Sequence, residues 1–497
     1  MTTRTELNTL EQSGLVQVAA LEPELEYLFR HALVQDAAYS SLLKQDRRAL
    51  HRLAADTLLS LYPERRGELA AVIGLHLERA GDPAAAAEHL VVAGEHALER
   101  FAHREALAFF DRAEASLGPD DPRTELRLRA ALGGARAGWT STGPAPAIAR
   151  LERALAAGEE GADPRILSDM YFWIAFLRRA SGETPESSPE LNRAVARAAE
   201  IGAALGDPVS QAIPNAFMAA GRIFTGVFRE GARQMEAALD IVAGHVDPFS
   251  AAILGGLLTI ANARLGDFAA AERTLARAER LASNGDPIAA LDVEIARSAV
   301  FVERGDIALG EALASKCALQ SEELGAVACS VSANVIAGAA HLARDDAAGA
   351  RSPLERGEEL AGVSSLAAFS TLVDGMLGSV RAQLGDVPAG TAGWNLALDR
   401  SRAMHDRYGE AMTVWQRART RAYATSPDHA AALADIDAAT TLFEEMEARP
   451  SLARALRDRA RILRALGRAA EAEAAGERSK ALAAELGLKD FAEPSST

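Results

Sequence analysis

The chain has 497 residues, and its 53 basic and 69 acidic side chains give a formal net charge of -16, which argues against nucleic-acid binding because phosphate contacts need a basic face. Hydrophobic residues make up 49% of the sequence but aromatic residues only 5%, so Ala and Leu carry the apolar content and helices are favoured over sheets. The two cysteines, Cys317 and Cys329, are too few for a disulfide framework or a cysteine-rich zinc site.

The sequence shows no targeting or membrane segment. Its first fifteen residues lack the apolar core of a signal peptide. The most apolar stretch, residues 251–263, is shorter than the roughly 18 apolar residues that a membrane span needs. We therefore expect a cytoplasmic protein in a reducing compartment, with no membrane partner.

The first 62 residues form a module of their own. Short alternating runs at residues 15–18 and 25–29 flank Glu22-Pro23-Glu24, a pattern typical of a small hairpin. A helix is predicted to follow, from about Gln45 to Leu61.

A repeat of about 40 residues runs along most of the remaining chain. Turn-forming positions separated by 39 to 42 residues mark it, at residues 226, 266, 305, 345, 385, 427 and 467. A glycine at such a position can take the left-handed conformation that ends a helix. A following aspartate can accept hydrogen bonds from the free N–H groups of the next helix. Each unit is therefore predicted to be a helix, a tight turn and a second helix.

One segment matches the spacing of a tetratricopeptide repeat, with Leu in place of the usual Trp. Its matching residues are Leu90, Gly94, Ala106, Phe110, Ala113 and Pro119. Small residues recur in later units, such as Ala271 and Ala278 after Gly266. The chain resembles the long-helix form of this family over roughly residues 68–488. The resemblance implies an all-α, right-handed solenoid of stacked helix pairs with a concave binding surface, and the alternative is an irregular bundle of Ala-rich helices.

A second resemblance begins in the N-terminal module. Residues 28–39, LFRHALVQDAAY, and residues 47–54, RRALHRLA, are similar to a junction in bacterial signal-transduction ATPases of the STAND group. In that family the junction closes a winged-helix element between a nucleotide-binding domain and a helical-repeat sensor. Many such proteins also carry a class III cyclase or a LuxR-type DNA-binding domain. The resemblance implies that residues 1–62 are a partial winged-helix module preceding a sensor.

The catalytic residues of that family are missing from this sequence. No G-x4-G-K-[ST] loop is present, and neither are the metal-binding aspartates of a cyclase or the common hydrolase motifs. We therefore expect a non-enzymatic scaffold without a cofactor or metal, which holds a protein segment or small ligand in its groove and docks a signalling ATPase or cyclase. The alternative is a detached C-terminal part of a cyclase or transcription-regulating ATPase whose catalytic portion is encoded separately.

Three histidines are spaced by seven residues and are candidate metal ligands: His89, His96 and His103. The repeat alignment places a turn between Phe101 and Glu105, which takes the third histidine out of line. We therefore predict structural or solvated histidines here. His31 and His51, in the STAND-like junction, are also predicted to pack or cap rather than to catalyse.

Five arginines advance by three and four residues and so form one stripe on a helix: Arg454, Arg457, Arg461, Arg464 and Arg468. Guanidinium groups bind carboxylates and phosphates through paired hydrogen bonds, so this arginine stripe is predicted to be a partner-binding surface. The alternative is a solvated face paired with glutamates. Residues 63–490 are assigned to the solenoid and residues 491–497 to a disordered tail.

Overall fold

A computed structural model describes residues 3–20, 26–118, 121–206, 208–242, 248–282, 285–367 and 370–491. The chain divides into two compact units. The first contains Met1–His96 and Ala108–Asp121, and the second contains Ala97–Leu107 and Pro122–Thr497. No helix in the described ranges is both long and apolar enough to cross a bilayer.

The first unit begins with a short helix and a hairpin, and three further complete helices follow. The elements that lie wholly in this unit are α1 (Thr3–Gln12), β1 (Val16–Ala20), β2 (Glu26–Phe29), α2 (Ala32–Ser41), α3 (Lys44–Leu61), a 3-10 turn (Pro63–Arg65) and α4 (Arg66–Ala80). Both units share α5 (Pro83–Glu99) and α6 (His103–Ser116). The strands pair antiparallel, with Val16 opposite Phe29. The predicted hairpin and the helix ending at Leu61 are therefore confirmed, while the turn at residues 22–24 lies outside the described residues.

The second unit continues with antiparallel helices. They are α7 (Thr124–Thr142), α8 (Pro144–Ala156), α9 (Pro164–Ala180), α10 (Pro189–Leu205), α11 (Pro208–Phe224), α12 (Phe228–Val242), α13 (Pro248–Leu265), α14 (Phe268–Ala282), α15 (Pro287–Arg304), α16 (Ile307–Leu324), α17 (Val327–Ala343), α18 (Ala347–Ser364), α19 (Ser370–Gln383), α20 (Val387–Ala403), α21 (Arg407–Ala422), α22 (His429–Glu445), α23 (Arg449–Ala465) and α24 (Ala469–Leu486). A 3-10 turn, Lys489–Phe491, follows.

These helices stack in sequence order as a solenoid of tetratricopeptide-like pairs. From α7 onward each helix packs on the next, and odd-numbered helices such as α13 and α15 also pack on one another. Odd-numbered helices that are ten helices apart also contact each other, α7 with α17 and α13 with α23. The odd-numbered helices therefore form the inner layer of the solenoid. The predicted all-α repeat fold is confirmed.

Small residues in one helix are in contact with large side chains of the next helix, which lie sixteen positions later in the sequence. A Cβ atom at Gly94 would lie 2.7 Å from the Phe110 ring, and one at Gly378 would lie 2.8 Å from Trp394. Both glycines belong to the repeat signature, so the repeat spacing reflects helix contacts too close for a larger side chain.

The predicted turns form, and the aspartates that follow them cap the next helix, with Asp306 as the exception. Gly266 has a φ of 80°, and the Asp267 carboxylate accepts a 2.9 Å hydrogen bond from the Ala270 N–H group. Asp306 makes no such cap. Its carboxylate instead accepts hydrogen bonds from Arg304 and Lys489, both at 2.8 Å, because these cations compete for it.

Candidate functional site

The inner helices of the second unit surround an apolar cavity of about 220 Å³. Its lining comes from the eight odd-numbered helices α7 to α21 and from the connections that precede α19 and α21. Apolar residues of the lining include Trp139, Phe176, Phe217, Ile223, Phe224, Leu257, Ile260, Ile336 and Met376. Ligand sites in proteins combine such apolar walls with a few polar groups.

The sequence of α13 explains why its inner face is apolar. Ile253, Leu257 and Ile260 are spaced by four and three residues and line the cavity. Leu254 and Leu258 lie on another face and are buried in the surrounding core. A helix that is apolar on all faces is shielded from water on all of them. In this solenoid some faces of α13 pack on neighbouring helices and one face lines the cavity.

Arg179, near the end of α9, is the most deeply buried cation of the cavity wall. It is 5% exposed, and its Nη1 atom has no hydrogen-bond partner among the described residues. Its guanidinium lies over the Phe224 ring, 5.6 Å from the centroid. Burial lowers the pKa of Arg179, while the charges of Asp406 and Glu186 act in the opposite direction.

Arg264 extends from α13 into the same wall. Its guanidinium carbon lies 3.8 Å from the centroid of the Tyr408 ring and 5.4 Å from that of Phe228. The Arg264 Nε atom is buried and has no hydrogen-bond partner within the described ranges. The Tyr408 hydroxyl donates a 3.0 Å hydrogen bond to Glu303, and burial raises the pKa of this tyrosine.

Two aspartates add negative charge to the wall. Asp406 accepts hydrogen bonds from the Thr371 hydroxyl at 2.5 Å and from the Gly409 N–H group at 2.8 Å, and burial raises its pKa. Burial raises the pKa of Asp292 to about 6. The cavity therefore contains a small number of charges in apolar surroundings, where each charge has a large electrostatic effect.

The structure places the arginine stripe in several different environments. Arg454 is 6% exposed and donates to Asp490 and to the backbone carbonyls of Val302 and Glu303. Arg457 also packs inward, with its guanidinium carbon 4.3 Å from the centroid of the Phe491 ring.

The other three members of the stripe are exposed. Arg461 forms an ion pair with Asp458, and Arg468 forms one with Glu471. Arg464 is exposed on α23 with Arg461, whereas Arg468 lies beyond the end of α23, at the N-cap of α24, so the five arginines do not share one helix as predicted. The partner-binding role of the stripe stays a prediction, and only Arg461, Arg464 and Arg468 offer it accessible side chains.

His103 and His51 contact other side chains, whereas His31 is exposed at the N-cap of α2 and its side chain makes no capping hydrogen bond, so the prediction that it packs or caps is wrong. The turn predicted before Glu105 is present, and His103 lies in α6, with its Nε2 atom 3.4 Å from a carboxylate oxygen of Asp286. His51 contacts the Tyr39 hydroxyl at 2.9 Å and the Nδ1 atom of His76 at 2.8 Å. The described residues contain no group of three or more His, Cys, Asp or Glu side chains that could hold a metal ion.

The N-terminal module exposes an unusual amount of apolar surface. Helix α2 buries none of its residues, and α3 buries only His51 and Ala55. The exposed large apolar residues of this surface are Leu28, Phe29, Leu33, Tyr39, Leu42, Leu43, Leu50, Leu53 and Leu61. Exposed apolar patches of this kind mark protein interaction sites.

The sequence analysis did not single out the charged residues of the cavity wall. A local signal for Arg179 exists, because residues 170–177, MYFWIAFL, are apolar and aromatic immediately before it. For Arg264 and Asp406 the sequence gives no comparable signal, since the helices that bring them together are far apart in the chain.

No family model matches the chain, and no curated protein matches it. Among solved structures, a Rap protein complexed with competence and sporulation factor is 10% identical, with a TM-score of 0.45 over 80% of this chain and 97% of that one. The Cut9–Hcn1 assembly of the APC/C is 14% identical, with a TM-score of 0.48 over 90% and 89%. A STAND protein with a tetratricopeptide repeat sensor from Pyrococcus horikoshii is 11% identical, with a TM-score of 0.34 over 99% and 70%. Identities this low indicate likeness of fold alone.

Proposed function

We propose that the chain is a non-catalytic ligand-sensing scaffold of bacterial signal transduction, which binds an apolar ligand in its inner cavity and a signalling protein through its N-terminal module. The apolar cavity is the observation that carries this proposal. Its walls come from eight helices that are far apart in sequence, so a ligand inside it would contact most of the repeat units. Ligand binding would thereby stabilise the helix stack as a whole.

The N-terminal surface supports the second half of the proposal. Its exposed leucines lie in the segment that resembles the STAND junction, so a signalling ATPase or cyclase is the proposed partner. The alternative keeps the same surface but makes the chain the detached C-terminal part of a cyclase or transcription-regulating ATPase. A neighbouring reading frame that encodes a phosphate-loop ATPase or a cyclase would favour this alternative.

A fluorescence titration tests the cavity. The neutral apolar dye N-phenyl-1-naphthylamine brightens when it leaves water, so we expect saturable binding to the purified chain. Ala299→Trp adds a bulky side chain to the cavity wall and should abolish the binding. Leu319→Trp, at a side chain that is 68% exposed, is the matched control and should bind as the wild type does.

Two results would contradict the proposal. One is dye binding that Ala299→Trp leaves unchanged while the variant remains folded by circular dichroism. The other is ATP binding or cyclic-nucleotide formation by the purified chain, since a scaffold of this kind has no chemistry of its own. Ser332→Phe, a smaller obstruction in the same wall, replaces Ala299→Trp if that variant does not fold.

A further inference from the structure

We infer that the cavity takes an amphipathic acid, a ligand with one long apolar chain and a single carboxylate, and that Arg179 and Arg264 bind the carboxylate. This inference rests on the proposed function, because it names the class of ligand for the same cavity. It starts from two cations of the cavity wall, each with one buried N–H donor that has no hydrogen-bond partner among the described residues.

The first observation is the environment of Arg179, which is the stronger argument of the two. Its side chain is buried, it lines the apolar cavity, and its Nη1 atom has no hydrogen-bond partner among the described residues. Its neighbouring Phe224 ring offers a cation–π contact but no hydrogen-bond acceptor for a guanidinium N–H group. A buried cation with an unsatisfied donor is costly unless an anion joins it.

The second observation is that the carboxylates of this part of the wall hydrogen-bond to other groups. Asp406 is the carboxylate that acts on both Arg179 and Arg264, and it already accepts hydrogen bonds from Thr371 and Gly409. Glu186 also acts on Arg179, but it is exposed to solvent.

Glu303 is likewise engaged elsewhere. It accepts a hydrogen bond from Tyr408 and lies 3.7 Å from the Arg454 guanidinium. None of the wall carboxylates accepts a hydrogen bond from Arg179 Nη1 or Arg264 Nε within the described residues. A ligand carboxylate is an acceptor of the kind that these two donors lack.

The apolar chain of such a ligand has a matching wall. Phe176, Phe217, Ile223, Leu257 and Ile260 line the cavity that also contains both arginines. Guanidinium groups bind carboxylates through paired N–H donors, which fixes the orientation of the head group. Burial raises the pKa of Asp292 to about 6. Above that pH the Asp292 carboxylate repels the carboxylate of the ligand, which also favours a single position of the head group, at the arginines.

Competition between chain-matched ligands tests the inference. Dodecanoate, dodecanol and dodecylamine are each titrated against the complex with N-phenyl-1-naphthylamine at neutral pH, below any micelle concentration, and displacement of the dye is measured. We expect dodecanoate to bind at least about tenfold more tightly than dodecanol, the ratio that one charge-assisted hydrogen bond gives, and dodecylamine to bind most weakly. Arg179→Met should remove the preference for dodecanoate and leave dodecanol affinity unchanged.

The control variant is Arg351→Met, at an exposed arginine that pairs with Glu355, and it should keep the wild-type preference. Arg264→Gln is the second variant, used if Arg179→Met does not fold, and it should lower dodecanoate affinity selectively. Equal affinities for dodecanoate and dodecanol in the wild type would overturn the inference while leaving the proposed function intact. Failure of the neutral dye itself to bind would instead overturn the proposed function.

Discussion

The guanidinium of Arg264 on α13 lies over the ring of Tyr408 on α21, with 3.8 Å between the guanidinium carbon and the ring centroid. The Tyr408 hydroxyl donates to Glu303 on α15. One aromatic residue of α21 therefore contacts two inner helices, α13 and α15, that lie more than a hundred residues earlier in the sequence. This contact lies in the cavity wall, so it couples the stability of the stack to the shape of the site.

Replacing Tyr408 tests that connection. Tyr408→Phe removes the hydrogen bond to Glu303 and keeps the ring, so the free energy of unfolding should fall by about 1 kcal/mol. Tyr408→Ala removes the ring as well and should cost about 3–5 kcal/mol. Urea denaturation followed by circular dichroism measures both values. Equal losses for the two variants would show that the ring itself contributes little.

Asp292 predicts a pH dependence of stability. Its pKa of about 6 in the folded protein lies above the ordinary value of 3.8, so the folded state binds the proton more tightly. The stability that this protonation gives is present in acid and is lost as the pH rises from about 4 to about 6. Asp292→Asn should therefore raise the free energy of unfolding at about pH 8 by roughly 1–3 kcal/mol and give no gain near pH 4. Unfolding curves that show a gain of equal size at both pH values would contradict this assignment.

Arg454 is expected to be a structural member of the arginine stripe. Arg454→Met leaves the half-buried Asp490 and Glu303 carboxylates without their shared cation and should destabilise the chain by about 2–4 kcal/mol. Arg468→Ala, at the exposed end of the stripe, should leave the melting temperature unchanged, because solvent screens its ion pair with Glu471. A stable Arg454→Met variant would mean that the buried ion pair is dispensable.

The turn between α13 and α14 should be intolerant of branched residues. Gly266 has a φ of 80°, and a Cβ atom there would lie 2.6 Å from the Leu486 side chain. Replacing Gly266 and Asp267 together by valine adds backbone strain and removes a helix cap, so we expect a loss of about 2–4 kcal/mol in thermal unfolding. Gly221→Ala is the control, since Gly221 lies inside α11 with open space at its Cβ position. An unchanged melting curve for the double variant would count against the role of this turn.

The helix pairs were predictable from sequence because their determinants are local. A glycine that ends a helix, an aspartate such as Asp267 that caps the next one, and a small residue such as Gly378 opposite Trp394 all lie within about twenty residues of one another. The cavity was not predictable in this way. It depends on α7 meeting α17 and α13 meeting α23, and those contacts follow from small rotations summed over ten helices.

The burial of Arg454 was not predictable from the sequence for a similar reason. Periodicity alone places Arg454 on the same helix face as Arg468. It does not reveal that Asp490 lies 36 residues further on, or that the carbonyl of Val302 lies 152 residues back, where both accept hydrogen bonds from the guanidinium. Long-range partners of this kind decide burial, and a single sequence does not report them.

The most direct measurement is quenching of Trp139, which lines the cavity, by a dodecanoic acid brominated at the end of its chain. A variant that keeps only Trp139 among the four tryptophans isolates its emission, and a variant that keeps only Trp415 is the control, since Trp415 is buried against Phe443. A ligand inside the helix stack should quench Trp139 in a saturable manner and leave Trp415 emission unchanged. Absence of quenching at Trp139, or equal quenching of both residues, would contradict a ligand-binding cavity.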